Sequence, residues 1–425
     1  MDLRMKTILN KDYWIFGLFF ALYFFIWAAC TPFLSIWLQN VGGLSSTEVG
    51  IIFSAMAISA LCLQPFFGII SDKLGLRKNL LWGFIILLVF IAPFFIYLFP
   101  YLLKTNIILG AVVGGAYLGA CFNGGSGTIE AYIEKVSQVN SFEYGQVRMF
   151  GCIGAATGTY LTGAFFATNP NLIFIISSVV AVVLGILFSF AKTKQTNLGT
   201  TTEEIEKQKA EATSKESVLA IFKNRKFWWL TLYVVGVTCI YEVFDQQFAI
   251  YFTHFFSTEA EGTRVFGNLY TTQIIMEAFV MLLAPFFIRK IGAKNALIYA
   301  GVIMSFRILG SSFADGPIMI SALKLLHAIE VPVLLVAIFK YITANFDIRL
   351  SATIYLIGFQ FSKQLGAIFL SAIAGSMYDT VGFKSAYLLL GLIAITFTII
   401  SMFTLSSDKK EKKKEQRDPR LVNAV

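Results

Sequence analysis

The sequence predicts an all-α membrane protein of twelve transmembrane helices arranged as two six-helix halves. Three observations predict it. The 425 residues are 57% hydrophobic and 14% charged, with a mean hydropathy of +0.72, whereas charged residues make up about a quarter of a soluble domain. Twelve apolar runs can be drawn, each near the about 20 residues a helix needs to cross a bilayer. One long polar stretch, 192–226, parts them six and six.

The runs are, in order, 13–38, 47–70, 79–100, 107–134, 146–168 and 171–191, then 227–252, 266–288, 295–313, 317–340, 351–377 and 384–405. The first shows no small-residue cleavage site and reads as a retained span, not a signal peptide. Runs four and five carry Glu130 and Arg148. Run seven carries Glu242 and Asp245, run eight Glu277, run nine Arg307, run ten Lys324, His327 and Glu330, and run eleven Lys363. Interruptions by Gly, Pro or charge are tolerated where neighbouring helices cover them. The expected units are 1–191, a linker 192–226 rich in Lys, Glu, Thr and Ala that suits a solvated segment, 227–405, and a basic tail 406–425. Asp72-Lys-Leu-Gly-Leu-Arg-Lys78 after the second run and Arg289-Lys-Ile-Gly-Ala-Lys294 after the eighth occupy equivalent places. Such an echo is what a duplicated six-helix unit leaves in parallel-repeat transporters.

Loop charge sets orientation. Alternate connections hold Lys73, Arg77, Lys78, Lys135, the linker, Arg289, Lys290, Lys294, Lys340 and Arg349; the others hold Lys104, Arg264 and Lys384 among the acids Glu48, Glu259, Glu261 and Asp315. Positive residues stay cytoplasmic, so both termini are expected inside. The net charge of +9 follows this pattern instead of forming one basic face, which argues against a nucleic-acid partner. Cys30, Cys62, Cys121, Cys152 and Cys239 lie scattered with no paired spacing, so neither a disulfide frame nor a metal site is expected. No H-E-x-x-H, Ser/His/Asp set or phosphate loop points to an enzyme.

The run interiors carry the functional signal. Lys324, His327 and Glu330 follow one another at three-residue steps, on one helical face. Each charge at a bilayer centre costs roughly 2.5–3.5 kcal/mol, so the stripe needs partners or a use. Either such charges lock helices together, or they handle ions. The interior carboxylates are five (Glu130, Glu242, Asp245, Glu277, Glu330) against four permanent cations (Arg148, Arg307, Lys324, Lys363). With His327 neutral, one carboxylate lacks a counter-charge, and in a low-dielectric site it takes up a proton. Glu330 is the expected carrier, since its neighbour three residues back, His327, is only weakly basic. Glu130 and Arg148 stand nearly alone in the first half. Carboxylate and guanidinium groups bond hydroxyls at fixed geometry, so the pair suits a neutral polyhydroxylated ligand such as a sugar, with a scaffold pair as the alternative. His254 is expected in an outer loop.

These residues carry a resemblance. Phe16-Gly-Leu-Phe-Phe20, Ser71–Lys78, Arg148-Met-Phe-Gly-Cys152, Phe244-Asp-Gln-Gln-Phe-Ala249 and Lys340-Tyr-Ile-Thr343 are similar to the lactose permease branch of the major facilitator superfamily, the oligosaccharide:proton symporters. The string Leu350–Leu365 looks most like the raffinose and melibiose permeases; Leu326–Pro332 and Ala344–Asp347 resemble the sucrose permeases. The resemblance covers the chain apart from the linker and tail, and implies the major facilitator fold. It implies Glu130 and Arg148 as sugar ligands, Arg307 and Glu330 as the coupling pair, and His327 as the bridge between sugar and proton. It further implies Asp245 with Lys324, and Glu242 with Lys363, as interhelical charge pairs. Gly50 and Gly375 match positions of close helix packing at the outer end.

Two departures fall in the binding region. The span-eight glutamate that lactose permease uses for sugar falls on Ile274, with Glu277 on the same face one turn on, a placement that resembles the sucrose permeases. Where the branch stacks an aromatic ring on the galactosyl moiety, this chain has Ala155. Trp27 replaces a smaller residue and is a candidate substitute platform. The expectation is a proton-coupled disaccharide symporter of a bacterial inner membrane, working as a monomer with no cofactor beyond the proton. An α-galactoside such as melibiose is favoured, with raffinose, lactose or sucrose as competitors. A facilitator or drug exporter of the same fold, and a membrane sugar sensor, are the rivals.

Overall fold

The computed structural model describes residues 11–74, 78–140, 142, 144–191, 221–346 and 350–407. Most of the expected linker and the tail from 408 lie outside them, as do residues 75–77 of the Asp72–Lys78 motif and Asp347 and Arg349. Among the described residues there are helices and no strand. An apolar solvent imposes this, because helices satisfy their backbone groups within the segment.

Helix α1 (Lys11–Cys30) passes through a 3-10 turn at Thr31–Phe33, where Pro32 lacks an N–H donor, into α2 (Leu34–Asn40). Then come α3 (Ser46–Leu74), α4 (Asn79–Val89), α5 (Phe99–Thr105), α6 (Ile107–Leu118), α7 (Gly125–Val139), α8 (Tyr144–Phe166) and α9 (Leu172–Ser189). Beyond residues 192–220 come α10 (Arg225–Tyr233), whose start lies within the expected linker, α11 (Cys239–Thr253), α12 (Glu259–Ile291), α13 (Ala293–Ser312), α14 (Pro317–Leu325), α15 (His327–Asn345) and α16 (Ser362–Thr404). Within α16 the chain turns at Gly382, whose φ of 78° and ψ of 164° lie in a region only glycine enters freely. Among the described residues, seven helices are long and apolar enough to cross a bilayer, or eight if the pair Asn79–Val89 and Ile91–Thr105, bent by 45°, is one span. Helices α8, α12 and α13 are not in that set.

Local geometry positions the polar side chains. π-helical turns at Gly119–Gly124, Val234–Thr238 and Tyr355–Phe361 immediately precede the segments bearing Glu130, Glu242 with Asp245, and Lys363. A π turn adds a residue to one helical turn and re-aims the side chains beyond it. The stripe of run ten also breaks: α14 ends at Leu325 and α15 begins at His327, with Leu326 still in the right-handed helical region.

Small residues set the helix contacts. A Cβ on Gly154 of α8 would lie 1.9 Å from the Ala21 carbonyl oxygen of α1, so these backbones touch directly. The expected close packing at Gly50 and Gly375 is present: a Cβ on Gly50 would lie 2.3 Å from the Ser371 carbonyl oxygen, and one on Gly375 2.3 Å from that of Ser46. Asp379 completes this contact between α3 and α16. Its carboxylate accepts from Ser46 N (3.0 Å), Thr47 N (2.7 Å) and Thr47 Oγ1 (2.6 Å), capping the start of α3.

Candidate functional site

Charged side chains in an apolar bundle survive by meeting one another, and every interior charge singled out from the sequence has a partner. Glu130 of α7 accepts a hydrogen bond from Arg148 Nε of α8 at 2.8 Å, with each side chain about one-third exposed. The Arg148 guanidinium lies over the Phe24 ring of α1 at 4.3 Å. Arg148 can therefore rest on a ring while its other nitrogens stay available to hydroxyls. Lys363 Nζ lies 3.2 Å from Glu242 Oε2, joining α16 to α11.

The remaining charges form one network around Asp245 of α11. Arg307 of α13 forks onto it, Nη1 to Oδ1 at 2.9 Å and Nη2 to Oδ2 at 2.8 Å, the bidentate geometry that favours Arg. Nη2 also lies 2.6 Å from Glu330 Oε1. Arg307 and Glu330 are fully buried. Arg307 thus lies between the two carboxylates, forked onto Asp245 and in close contact with Glu330. His327 Nε2 lies 3.1 Å from Asp245 Oδ2, and its Nδ1 3.0 Å from Glu277 Oε1 on α12. The resulting chain of contacts runs from Glu277, with a side chain 26% exposed, through His327 and Asp245 to Arg307 and Glu330.

The expected Asp245–Lys324 pair takes a weaker form than the sequence implies. Lys324 Nζ is 3.6 Å from Asp245 Oδ1, farther than either Arg307 nitrogen. It is caged by the rings of Tyr270 (4.9 Å), Phe248 (5.3 Å) and Phe266 (5.7 Å), so its charge is held by ring faces as well as by a carboxylate. One donor atom each from Asp245, His327 and Glu330 lies within 4.8 Å of the others. A divalent ion would have to displace Arg307 from between the two carboxylates to use them.

Trp27, Ala155 and Ile274 meet as well. Trp27 packs against a small apolar cluster of Ala28, Ala155 and Ile274, beside Cys152 and Tyr270. The two departures from the family pattern and the bulky residue on α1 are thus one locus. The sequence reading missed Gln273, which bonds both Glu277 and His327. Its signal was a polar residue four before Glu277 on one helical face. It also missed Tyr241, whose ring centroid lies 5.9 Å from that of His327. His254 is exposed.

Residues 5–417 match the family described as the LacY proton/sugar symporter. The chain belongs to that family. Two permeases are among the proteins it is similar to. The melibiose permease of Enterobacter cloacae is 52% identical over 398 residues, covering 94% of this chain and 93% of the other. The raffinose permease of Escherichia coli is 51% identical over 409 residues, covering 95% and 94%. The nucleoside transporter NupG has a similar fold, with a TM-score of 0.75 at 13% identity, covering 93% of this chain and 99% of that one. This member of the LacY proton/sugar symporter family is a multi-pass membrane protein whose relatives are transporters and not enzymes.

Proposed function

We propose that the protein carries a disaccharide and a proton together across a bacterial inner membrane, by rocking two six-helix halves of twelve spans around a central site. In this reading both termini are cytoplasmic, the carrier works as a monomer in the lipid bilayer, and the proton is the sole coupling ion. The favoured sugar is an α-galactoside such as melibiose, which the similarity to a melibiose and a raffinose permease supports; raffinose, lactose and sucrose are the competing substrates.

One observation carries the coupling: Glu330 is fully buried 2.6 Å from an Arg307 that also forks onto Asp245. An ionised Glu330 shares that guanidinium with Asp245; a protonated one leaves Arg307 to Asp245 alone. Proton traffic at Glu330 therefore changes the tie between α13 and α15. Asp245 and His327 pass that change toward Glu277. Glu130, Arg148 and Glu277 serve as sugar ligands in this scheme, with Trp27 as the ring platform beside Ala155. Glu242 with Lys363, and Lys324 in its aromatic cage, hold helices.

Uptake of labelled melibiose, raffinose, lactose and sucrose by cells, with pH recording, tests sugar and coupling together. Glu330→Gln is expected to keep sugar counterflow and lose uphill accumulation. Accumulation surviving in that variant would overturn the assignment.

A further inference from the structure

Gln273 has no part in the symport scheme, yet it is almost completely buried at the junction of two of its groups. Its Nε2 lies 2.7 Å from Glu277 Oε1 and 2.9 Å from His327 Nδ1, and those two atoms are 3.0 Å apart. The three atoms form a closed triangle in which not every edge can be a hydrogen bond. The amide nitrogen carries two hydrogens and accepts none, so it can donate along both of its edges. When the ring is neutral and takes that donation, His327 Nδ1 is the unprotonated acceptor, and the ring proton sits on Nε2, where Asp245 Oδ2 receives it at 3.1 Å. Turning the amide over would set its oxygen 2.7 Å from an ionised carboxylate, acceptor against acceptor, so the network selects the orientation with nitrogen toward Glu277.

The third edge is the informative one. With Nδ1 unprotonated, its lone pair faces the Glu277 carboxylate. A proton arriving at Nδ1 turns that edge into a charge-assisted hydrogen bond and ends the Gln273–His327 bond, while Gln273 keeps Glu277. The groups facing the ring are Asp245 and Tyr241 from α11, Glu277 and Gln273 from α12, and Lys324 and Glu330 along its own span, with Arg307 of α13 reaching it through Asp245.

We propose that Gln273 is a positioning residue that holds neutral His327 as its Nε2–H tautomer, aimed at Asp245, and lets the ring go when Nδ1 is protonated. The ring then has two defined states, each read by a carboxylate on either side. The consequence for transport rests on the symport reading; the tautomer assignment does not.

The test uses the fact that the chain has two histidines. With exposed His254 changed to Gln, ring-15N-labelled protein in bilayers reports His327 alone. At alkaline pH, where the ring is neutral, the parent is expected to show the Nε2–H tautomer. Gln273→Leu removes both donors, and Gln273→Met keeps the length of the side chain while offering none. Each is expected to raise the ratio of Nδ1–H to Nε2–H tautomer about tenfold, the effect of about one hydrogen bond. A parent ring already protonated at Nδ1, or an unchanged tautomer ratio in both folded variants, overturns the proposal. Counterflow and accumulation on the same proteins separate the two ideas: a tautomer change in a chain that never couples sugar to protons leaves the role of Gln273 standing and removes the symport reading instead.

Discussion

Gly50→Trp should hold the α3–α16 contact open, and the structure gives the scale. A single Cβ at Gly50 would sit 2.3 Å from the Ser371 carbonyl oxygen, whereas ordinary contact begins at 3.4 Å. Even alanine therefore forces a separation of about 1.1 Å, and an indole forces several times that. The bonds from Asp379 to Ser46 N, Thr47 N and Thr47 Oγ1 span 2.6–3.0 Å. A displacement of about 1.1 Å takes them past the 3.6 Å at which a hydrogen bond is no longer one. Three partly exposed bonds at about 0.5–1 kcal/mol each amount to about 1.5–3 kcal/mol. That is roughly a tenfold to hundredfold shift away from the closed arrangement at this face, the outer one in the proposed orientation. Spin labels at the start of α3 and beside the Gly382 turn of α16 would measure it. Gly50→Ala should broaden the distance distribution, and Gly50→Trp should give one longer distance, keep sugar binding and abolish accumulation. Unchanged distances with normal accumulation in Gly50→Trp would refute the reasoning.

Two further substitutions probe the pairings. Lys363→Ala should destabilise the protein by about 2–4 kcal/mol, below the full cost of orphaning a buried charge because Glu242 is partly exposed; Glu242→Ala with Lys363→Ala should recover most of the loss in thermal unfolding and in uptake. A double variant no better than the worse single one would show that the pair is not the reason for either residue. Trp27→Ala should weaken apparent sugar affinity by roughly twofold to tenfold, since an aromatic stacking contact is worth about 0.5–1.5 kcal/mol. Unchanged affinity for every accepted sugar would remove Trp27 as the platform beside Ala155.

Cost made part of this site legible in the sequence. A charge in a bilayer interior is expensive enough that Glu130, Arg148, Glu242, Asp245, Glu277, Arg307, Lys324, Glu330 and Lys363 stood out, and each meets a partner. Which partner it meets was less legible. Asp245 has three cationic or ionisable neighbours on three elements, and its choice of Arg307 over Lys324 depends on the fork geometry of two helices. The aromatic cage around Lys324 was hidden because Phe and Tyr are so common here that none is a signal. Gln273 was passed over because an uncharged amide costs little in a helix that already carries charges. The break at Leu326 has neither Pro nor Gly to announce it, and the glycines inside the π turns are lost among the chain's 33.

In the proposed scheme, scaffold and carrier share atoms. Asp245, Glu277 and Glu330 bring three carboxylates, while Arg307 and Lys324 bring two permanent cations, and His327 bridges two of the carboxylates. One further positive charge balances the set. A metal ion is a poor candidate, because the place where its ligands would converge is filled by the Arg307 guanidinium. A proton needs no space. It can rest on His327, between Glu277 and Asp245, or on Glu330 beside Arg307, and either position neutralises the same cluster. Removing Lys324 or Asp245 therefore alters the charge that the proton must balance as well as the packing, and helix-locking and proton-handling are two readings of one set of contacts.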